Sequence, residues 1–230
     1  MDFLSYPYQI SDAATNMALD LSLLEAGPAD CIRFRHYGWK RPSWTFGYTQ
    51  RWQQIEADRP EVIAECVRRP TGGGIVDHQA DFTYCLVVPN RHPWWREKVC
   101  DVYSSLHRAI AGAIAGEGHS VRLFNCGETR PAASTDSADA CFQRPAVSDV
   151  LDLQTGQKLA GAALKRNRSG LLVQGSILAR AIVDSPRFAQ TLEAELTQTL
   201  QAHLKSIPTL PQPTAACSQQ FQSPAWNRKR

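Results

Sequence analysis

Apolar positions along the chain recur with two periods, and the switches between them mark out the elements. From Thr15 to Glu25 the apolar residues 17, 18, 19, 21, 23 and 24 share a helical face, with Ser11 or Asp12 to cap it and Gly27-Pro28 to end it. Cys31 to Tyr37 alternates and predicts a strand with one basic face, followed by a turn at Gly38 to Pro42 and an aromatic strand, Trp44 to Tyr48. Ile75-Val76 and Phe82 to Val88 read as paired strands. The longest helix is predicted over 96–115, where Val99, Val102, Tyr103, Leu106, Ile110 and Ile114 keep helical spacing. Val121 to Phe124 is a short strand, and Glu128 to Ala140 a polar loop. Val147 to Leu153 and Lys158 to Leu164 form a hairpin, Gly170 to Ala179 is a further strand, and 186–204 is helical.

Hairpins interleaved with helices, without strict strand–helix alternation, predict an α+β (α/β) fold: a mixed, largely antiparallel β-sheet flanked by helices. Residues 1–205 read as the folded unit. Residues 206–230, rich in Pro, Gln and Ser, are expected to be a low-complexity, disordered tail.

Composition narrows the class without naming a function. The chain has 230 residues, 43% hydrophobic and 20% charged, which is ordinary for a globular protein able to bury a core without disulfides or metal. Mean hydropathy is −0.33 and no apolar run reaches membrane-spanning length, so no membrane association is expected. The first twenty residues are acidic, without Lys or Arg, and match neither a secretory signal nor an Arg-rich transit peptide. A net charge of +3 names no nucleic-acid partner. The seven cysteines are odd in number and lack Cys-x-x-Cys spacing. Cys31, Cys66, Cys85 and Cys100 read as small core residues, and the set points to a reducing cytoplasm with no metal site.

Three segments carry candidate chemistry. In Arg68-Arg69-Pro70-Thr71-Gly72-Gly73-Gly74-Ile75-Val76-Asp77-His78, the glycines let backbone N–H groups approach a ligand, and the arginines supply charge suited to phosphate or carboxylate. The same residues also fit a flexible turn with surface arginines. Lys158, ahead of Leu159-Ala160-Gly161-Ala162-Ala163, can bring an ammonium to the polar end of a substrate lying on small residues, or be an exposed hairpin lysine. Cys141, in Cys141-Phe142-Gln143-Arg144-Pro145, fits either a nucleophile near cations or a buried thiol.

Taken in order, these blocks resemble the lipoate–protein ligase A / octanoyltransferase family, the biotin/lipoate ligase catalytic domain. Asn16-Met17-Ala18-Leu19-Asp20 looks like its opening helix, and Arg33-Phe34 through Trp39, Pro42, Gly47-Tyr48 and Gln50 like its first hairpin. Arg68-Arg69-x-Thr71-Gly72-Gly73-Gly74-x-Val76-x-His78, with Asp81 and Thr83-Tyr84, resembles its signature loop. Lys158 to Ala163 and Gln174-Gly175-Ser176-Ile177-Leu178 resemble its later strands. Asp77 stands where the family usually has an aromatic residue, Ala146 in place of a Ser, and Leu164 in place of a Gln.

The resemblance implies a biotin/lipoate ligase catalytic-domain fold with a hydrophobic tunnel for a lipoyl or octanoyl chain. Arg69, Gly72, Gly73, Gly74, Ile75, Val76, Asp77, His78, Gly161, Ala162, Ala163 and Gly175 would line the acyl site, and Lys158 would hold the reacting carbonyl or phosphate. In the cysteine-dependent octanoyltransferase subgroup, closest in motif, Cys141 would carry the acyl group as a thioester taken from acyl carrier protein, without a cofactor. Lys158 would favour its thiolate. The acceptor would be a lysine on a lipoyl domain of the 2-oxoacid dehydrogenase E2 or glycine cleavage H protein type. The alternatives are an ATP- and Mg-dependent lipoate ligase without an accessory domain in the chain, and a non-catalytic lipoate or biotin binder. Basic residues at 33, 35, 40, 41 and 51 prompt a nucleic-acid reading but equally suit docking of an acidic carrier.

Overall fold

A computed structural model describes residues 1–128, 145–182 and 185–229, with the side chain of residue 185 left out. Strands β1 (Asp2–Ser5) and β2 (Gln9–Ser11) precede helix α1 (Ala13–Glu25), whose N-terminus Asp12 caps by accepting the Thr15 N–H at 2.8 Å. Next come β3 (Cys31–Trp39), β4 (Trp44–Phe46), α2 (Trp52–Asp58), β5 (Cys66–Arg68), β6 (Val76–Asp77) and β7 (Asp81–Pro89). Helix α3 (Val99–Gly116) leads to β8 (Val121–Leu123), β9 (Val150–Asp152), β10 (Lys158–Arg166) and β11 (Gly170–Leu178). Helix α4 (Ser185–Thr199), β12 (His203–Ser206), α5 (Ala215–Gln222) and α6 (Pro224–Asn227) complete the described chain.

The large sheet runs β12-β1-β3-β7-β11-β10-β9-β8, with β2 beside β3. Pairing is antiparallel from β3 to β8 and parallel among β12, β1, β2 and β3. The predicted mixed, largely antiparallel sheet is therefore the one observed. Strands β7 and β11 lie at its centre and are covered on both faces, which is why they read as nearly continuous apolar runs.

Alternation along β7 separates two layers. Phe82, Tyr84, Leu86 and Val88 pack with Val102, Leu106 and Ile110 of α3 and Phe188 and Leu192 of α4. Cys85 and Val87 face the other way, toward Met17, Leu21 and Leu24 of α1. A separate sheet, β5-β4-β6, has a small core of Phe46, Trp52, Ile55 and Val62 and carries the glycine loop between β5 and β6.

Several expectations are corrected. The segment after residue 205 is packed: Cys217 and Phe221 of α5 are 2% and 1% exposed, and they join the α1 layer. Its Pro, Gln and Ser content described local propensity, whereas a few long-range apolar contacts hold it. Strand β6 pairs with β4 and not β7. The basic face of β3 is not solvated, since Arg33 and Arg35 are each 1% exposed. Cys100 is exposed and Cys31 partly so, while Cys66 and Cys85 are core residues as expected. Most of the predicted 128–140 loop, and Cys141, lie outside the described residues. Among the described residues no helix is long and apolar enough to cross a membrane.

Candidate active site

The glycine loop is held from within by Arg69. Its guanidinium donates to the carbonyl oxygens of Gly72 (2.6 and 3.0 Å), Gly74 (2.8 Å) and Thr45 (3.2 Å). Gly73 sits at φ +91°, and a Cβ there would lie 2.7 Å from Arg69 Nη2. At the end of β4, a Cβ on Gly47 would fall 2.0 Å from the Gly73 carbonyl oxygen, so two backbones touch where the family pattern has glycine. Arg68 points away from the loop. It donates to the carbonyls of Tyr48, Gln50, Trp226, Asn227 and Lys229, so it anchors chain segments and is not the anion-binding charge the sequence suggested.

Opposite the loop runs β10. A Cβ on Gly73 would stand 3.9 Å from Ala163 Cβ, which fixes how closely loop and strand approach. Between them is a narrow pocket of about 70 Å³. Met17, Val76, Ala162 and Ala163 supply apolar wall, while Arg69, His78, Lys158 and Gln174 add polar groups. The exposed lining is mostly apolar, with these polar groups set into it.

Nine of the residues singled out line it: Arg69, Gly73, Val76, His78, Lys158, Gly161, Ala162, Ala163 and Gly175. Gly72 and Gly74 contribute through their carbonyls to Arg69, and Ile75 packs on the small core below. Asp77 lies outside the lining, its carboxylate accepting from Gln79 N at 2.9 Å and Gln79 Nε2 at 3.1 Å.

Lys158 reaches the pocket by folding back along its own strand. A Cβ on Gly161 would be 2.5 Å from both Lys158 Cε and Nζ, so the glycine leaves the lane the side chain occupies. Lys158 Nζ lies 2.8 Å from Asp149 Oδ2, and the Asp149 side chain is fully buried. The same carboxylate accepts from Ala146 N at 2.6 Å and from the Tyr103 hydroxyl, which itself accepts from Ala162 N at 3.1 Å. Ser148, at φ 71°, turns the backbone that aims Asp149 inward. Burial and the Asp149 charge push the Tyr103 phenol well above its ordinary range. Beneath it, the His107 imidazole is held down to about 4 by burial.

A second polar cluster supports the loop from the β7 side. His78 Nδ1 is 2.8 Å from Asp81 Oδ2, and Nε2 is 2.9 Å from Thr45 Oγ1, which also accepts from Arg69. Thr45 Oγ1 thus bridges the Arg69 guanidinium and the His78 ring. Trp39 stacks on the ring at 4.2 Å. Under the pocket floor, Gln174 links Thr71 (2.8 Å) to Asp20 (2.7 Å), and Asp20 accepts from Arg35 (2.8 Å) and Tyr37 (2.9 Å).

Tyr103, Asp149 and Thr45 carried no site signal in the sequence, while Asp20, Thr71 and Gln174 stood in the family-like blocks without a role assigned to them. For Asp20 a signal existed: Asn16 and Asp20 are polar residues one helical turn apart within an apolar stripe, a pattern of paired buried groups. Asp149 precedes a hairpin and carries no such mark.

The chain is similar to known proteins over most of its length. The family model for the lipoyl protein ligase A/B catalytic domain matches residues 12–219. Octanoyltransferase LipM of Kyrpidia tusciae is 32% identical over 85% of this chain and 74% of its own length. Octanoyltransferase LipM of Carboxydothermus hydrogenoformans is 32% identical over 74% of this chain, which spans 62% of that relative. A chain from the structural study of a bi-partite lipoate protein ligase and its E2 lipoyl domain from Thermoplasma acidophilum superposes with TM-score 0.71. It is 15% identical, with 99% of this chain and 96% of that one covered, a likeness of fold. The chain belongs to the lipoyl protein ligase A/B catalytic domain family.

Proposed function

We propose that this protein moves an octanoyl or lipoyl group, through a thioester on Cys141, to the ε-amino group of a lysine on a lipoyl domain. The observation that carries this reading is the juxtaposition of the glycine loop and Lys158 across one small-residue pocket, in a chain whose relatives are named octanoyltransferases. The acyl chain lies between Gly73 and the Gly161-Ala162-Ala163 strand, with its carbonyl toward the Lys158 ammonium.

In the first step the Cys141 thiolate attacks the carbonyl of an acyl thioester on a carrier protein, and the carrier's thiol leaves with the proton that Cys141 gave up. In the second, the neutral amine of the acceptor lysine attacks the Cys141 thioester. An amide forms, the Cys141 sulfur leaves, and the amine's proton returns the thiol. In both tetrahedral intermediates Lys158 stabilises the oxyanion, and Asp149 and Tyr103 hold Lys158 in place. No nucleotide is consumed, the medium is cytoplasmic, and the segment after residue 205 packs as part of the same unit.

Incubation with octanoyl carrier protein followed by intact-mass analysis tests the reading. An octanoyl adduct mapped to Cys141, absent in Cys141→Ser, is the expected result. Lipoylation by Cys141→Ser from free lipoate and ATP, with release of AMP and pyrophosphate, overturns it in favour of an ATP-dependent ligase.

A further inference from the structure

The segment expected to be disordered ends as a strap beside the pocket. Asn227 Oδ1 accepts from Arg68 N at 3.0 Å, the Trp226 indole donates to Arg68 O at 2.9 Å, and the buried Arg68 guanidinium takes three carbonyls of residues 226–229. These residues lie beyond the 12–219 matched by the family model. Arg68 directly precedes Arg69 and the glycine loop, so the strap is pinned to the same element that forms the pocket wall.

The strap sets two cations against Tyr48 and Trp52, close in sequence to the β4 end that touches the glycine loop. Lys229 Nζ donates to the Tyr48 hydroxyl at 2.7 Å, and Arg228 stands 6.0 Å over the Trp52 ring. Lys165 of β10 brings its Nζ to 5.6 Å from the same Tyr48 ring. Lys165 lies two residues beyond Ala163 on β10. Tyr48 itself is tied to the glycine loop, its N–H donating to Thr71 O at 2.8 Å. Arg228 and Lys229 are exposed, and among the described residues none of these three cations pairs with a carboxylate. Cations without a carboxylate partner beside a binding loop steer an anionic partner to it.

We propose that Lys165, Arg228 and Lys229 form a docking rim for the acidic, phosphodiester-bearing carrier protein that delivers the acyl thioester. This rests on the transfer reading above for the identity of the donor. The donor is favoured over the acceptor on charge: the acceptor must present a lysine, which these cations repel, whereas the donor arrives with carboxylates and a phosphodiester near its thioester arm. RNA would call for a longer cationic track than three residues.

The test uses the triple variant Lys165→Gln, Arg228→Gln, Lys229→Gln in the full chain, which leaves the backbone carbonyls that Arg68 needs. Carrier binding by calorimetry, which requires no turnover, is expected to weaken about tenfold, with a shallower salt dependence than in the original chain. KM for octanoyl carrier rises to match, while KM for a short neutral octanoyl thioester and for the lipoyl domain stays constant. Unchanged carrier affinity overturns the proposal. So does a raised KM for the lipoyl domain alone, an equal loss with the neutral thioester, or tight salt-sensitive RNA binding lost in the variant. If the original chain binds carrier through these cations but transfers nothing, the docking rim stands and the transferase reading falls.

Discussion

The two faces of the large sheet are built on different physics. Under α3 and α4 the layer is close to pure hydrocarbon: Phe34, Leu86, Val88, Leu106, Ile110, Phe188 and Leu192 are all fully buried. Under α1 the layer holds Asp20, Arg33 and Arg35 at 0–1% exposure, with Asn16, Gln174 and Tyr37 among its apolar residues. Replacing a buried ion pair by hydrocarbon is often neutral or stabilising, so the polar layer is no simple gain in stability. Its hydrogen bonds lead from Asp20 through Gln174 to Thr71, at the root of the glycine loop. One face holds the molecule together, and the other sets the position of the loop.

The largest expected effect separates these roles. Asp20→Ala leaves Arg35 buried without its carboxylate and should lose about 3–5 kcal/mol. Leu106→Ala should lose a similar 2–5 kcal/mol or so through a cavity. Denaturant melts with activity normalised to the folded fraction distinguish them: Asp20→Ala also loses transfer per folded molecule, and Leu106→Ala keeps it. Equal retention in both would erase the contrast.

Next is a buried histidine where α3 meets the hairpin. His107 is neutral when folded, with its pKa near 4 from burial against an ordinary value of 6.5. Between those values the unfolded chain binds the proton and the folded one does not, so stability is full above pH 6.5 and falls as pH drops toward 4. The shift corresponds to roughly 3 kcal/mol. Thermal melts across this range should show a smaller fall for His107→Leu than for the original chain.

The smallest effect is local. Gly161→Ala places a methyl in the lane of Lys158, and kcat should fall about tenfold while the melting temperature moves little. An unchanged kcat would free Lys158 from the role given to it.

Much of this architecture was legible because it is written in local periodicity. The α1 stripe with its Asp12 cap, the alternation of β3 and the long runs of β7 and β11 each reflect near-neighbour burial. What escaped depends on distant partners. Arg33 and Arg35 look like surface charge until Leu23 O and Asp20 arrive from α1 at 2.7 and 2.8 Å. The segment after 205 looks soluble until Phe221 meets the α1 layer and Arg68 meets its carbonyls. Asp149 gains its meaning only when α3 brings Tyr103 to the hairpin. The glycine loop and Lys158 were found by pattern, while the groups that hold them were not.

The account stands or falls on where the acyl chain lies. A crystal structure of the protein trapped as its octanoyl adduct should show the chain between Gly73 and the Gly161-Ala162-Ala163 strand, its carbonyl oxygen facing Lys158 Nζ. A chain seated instead in the separate groove beside Tyr8, His36 and Phe82 would contradict it.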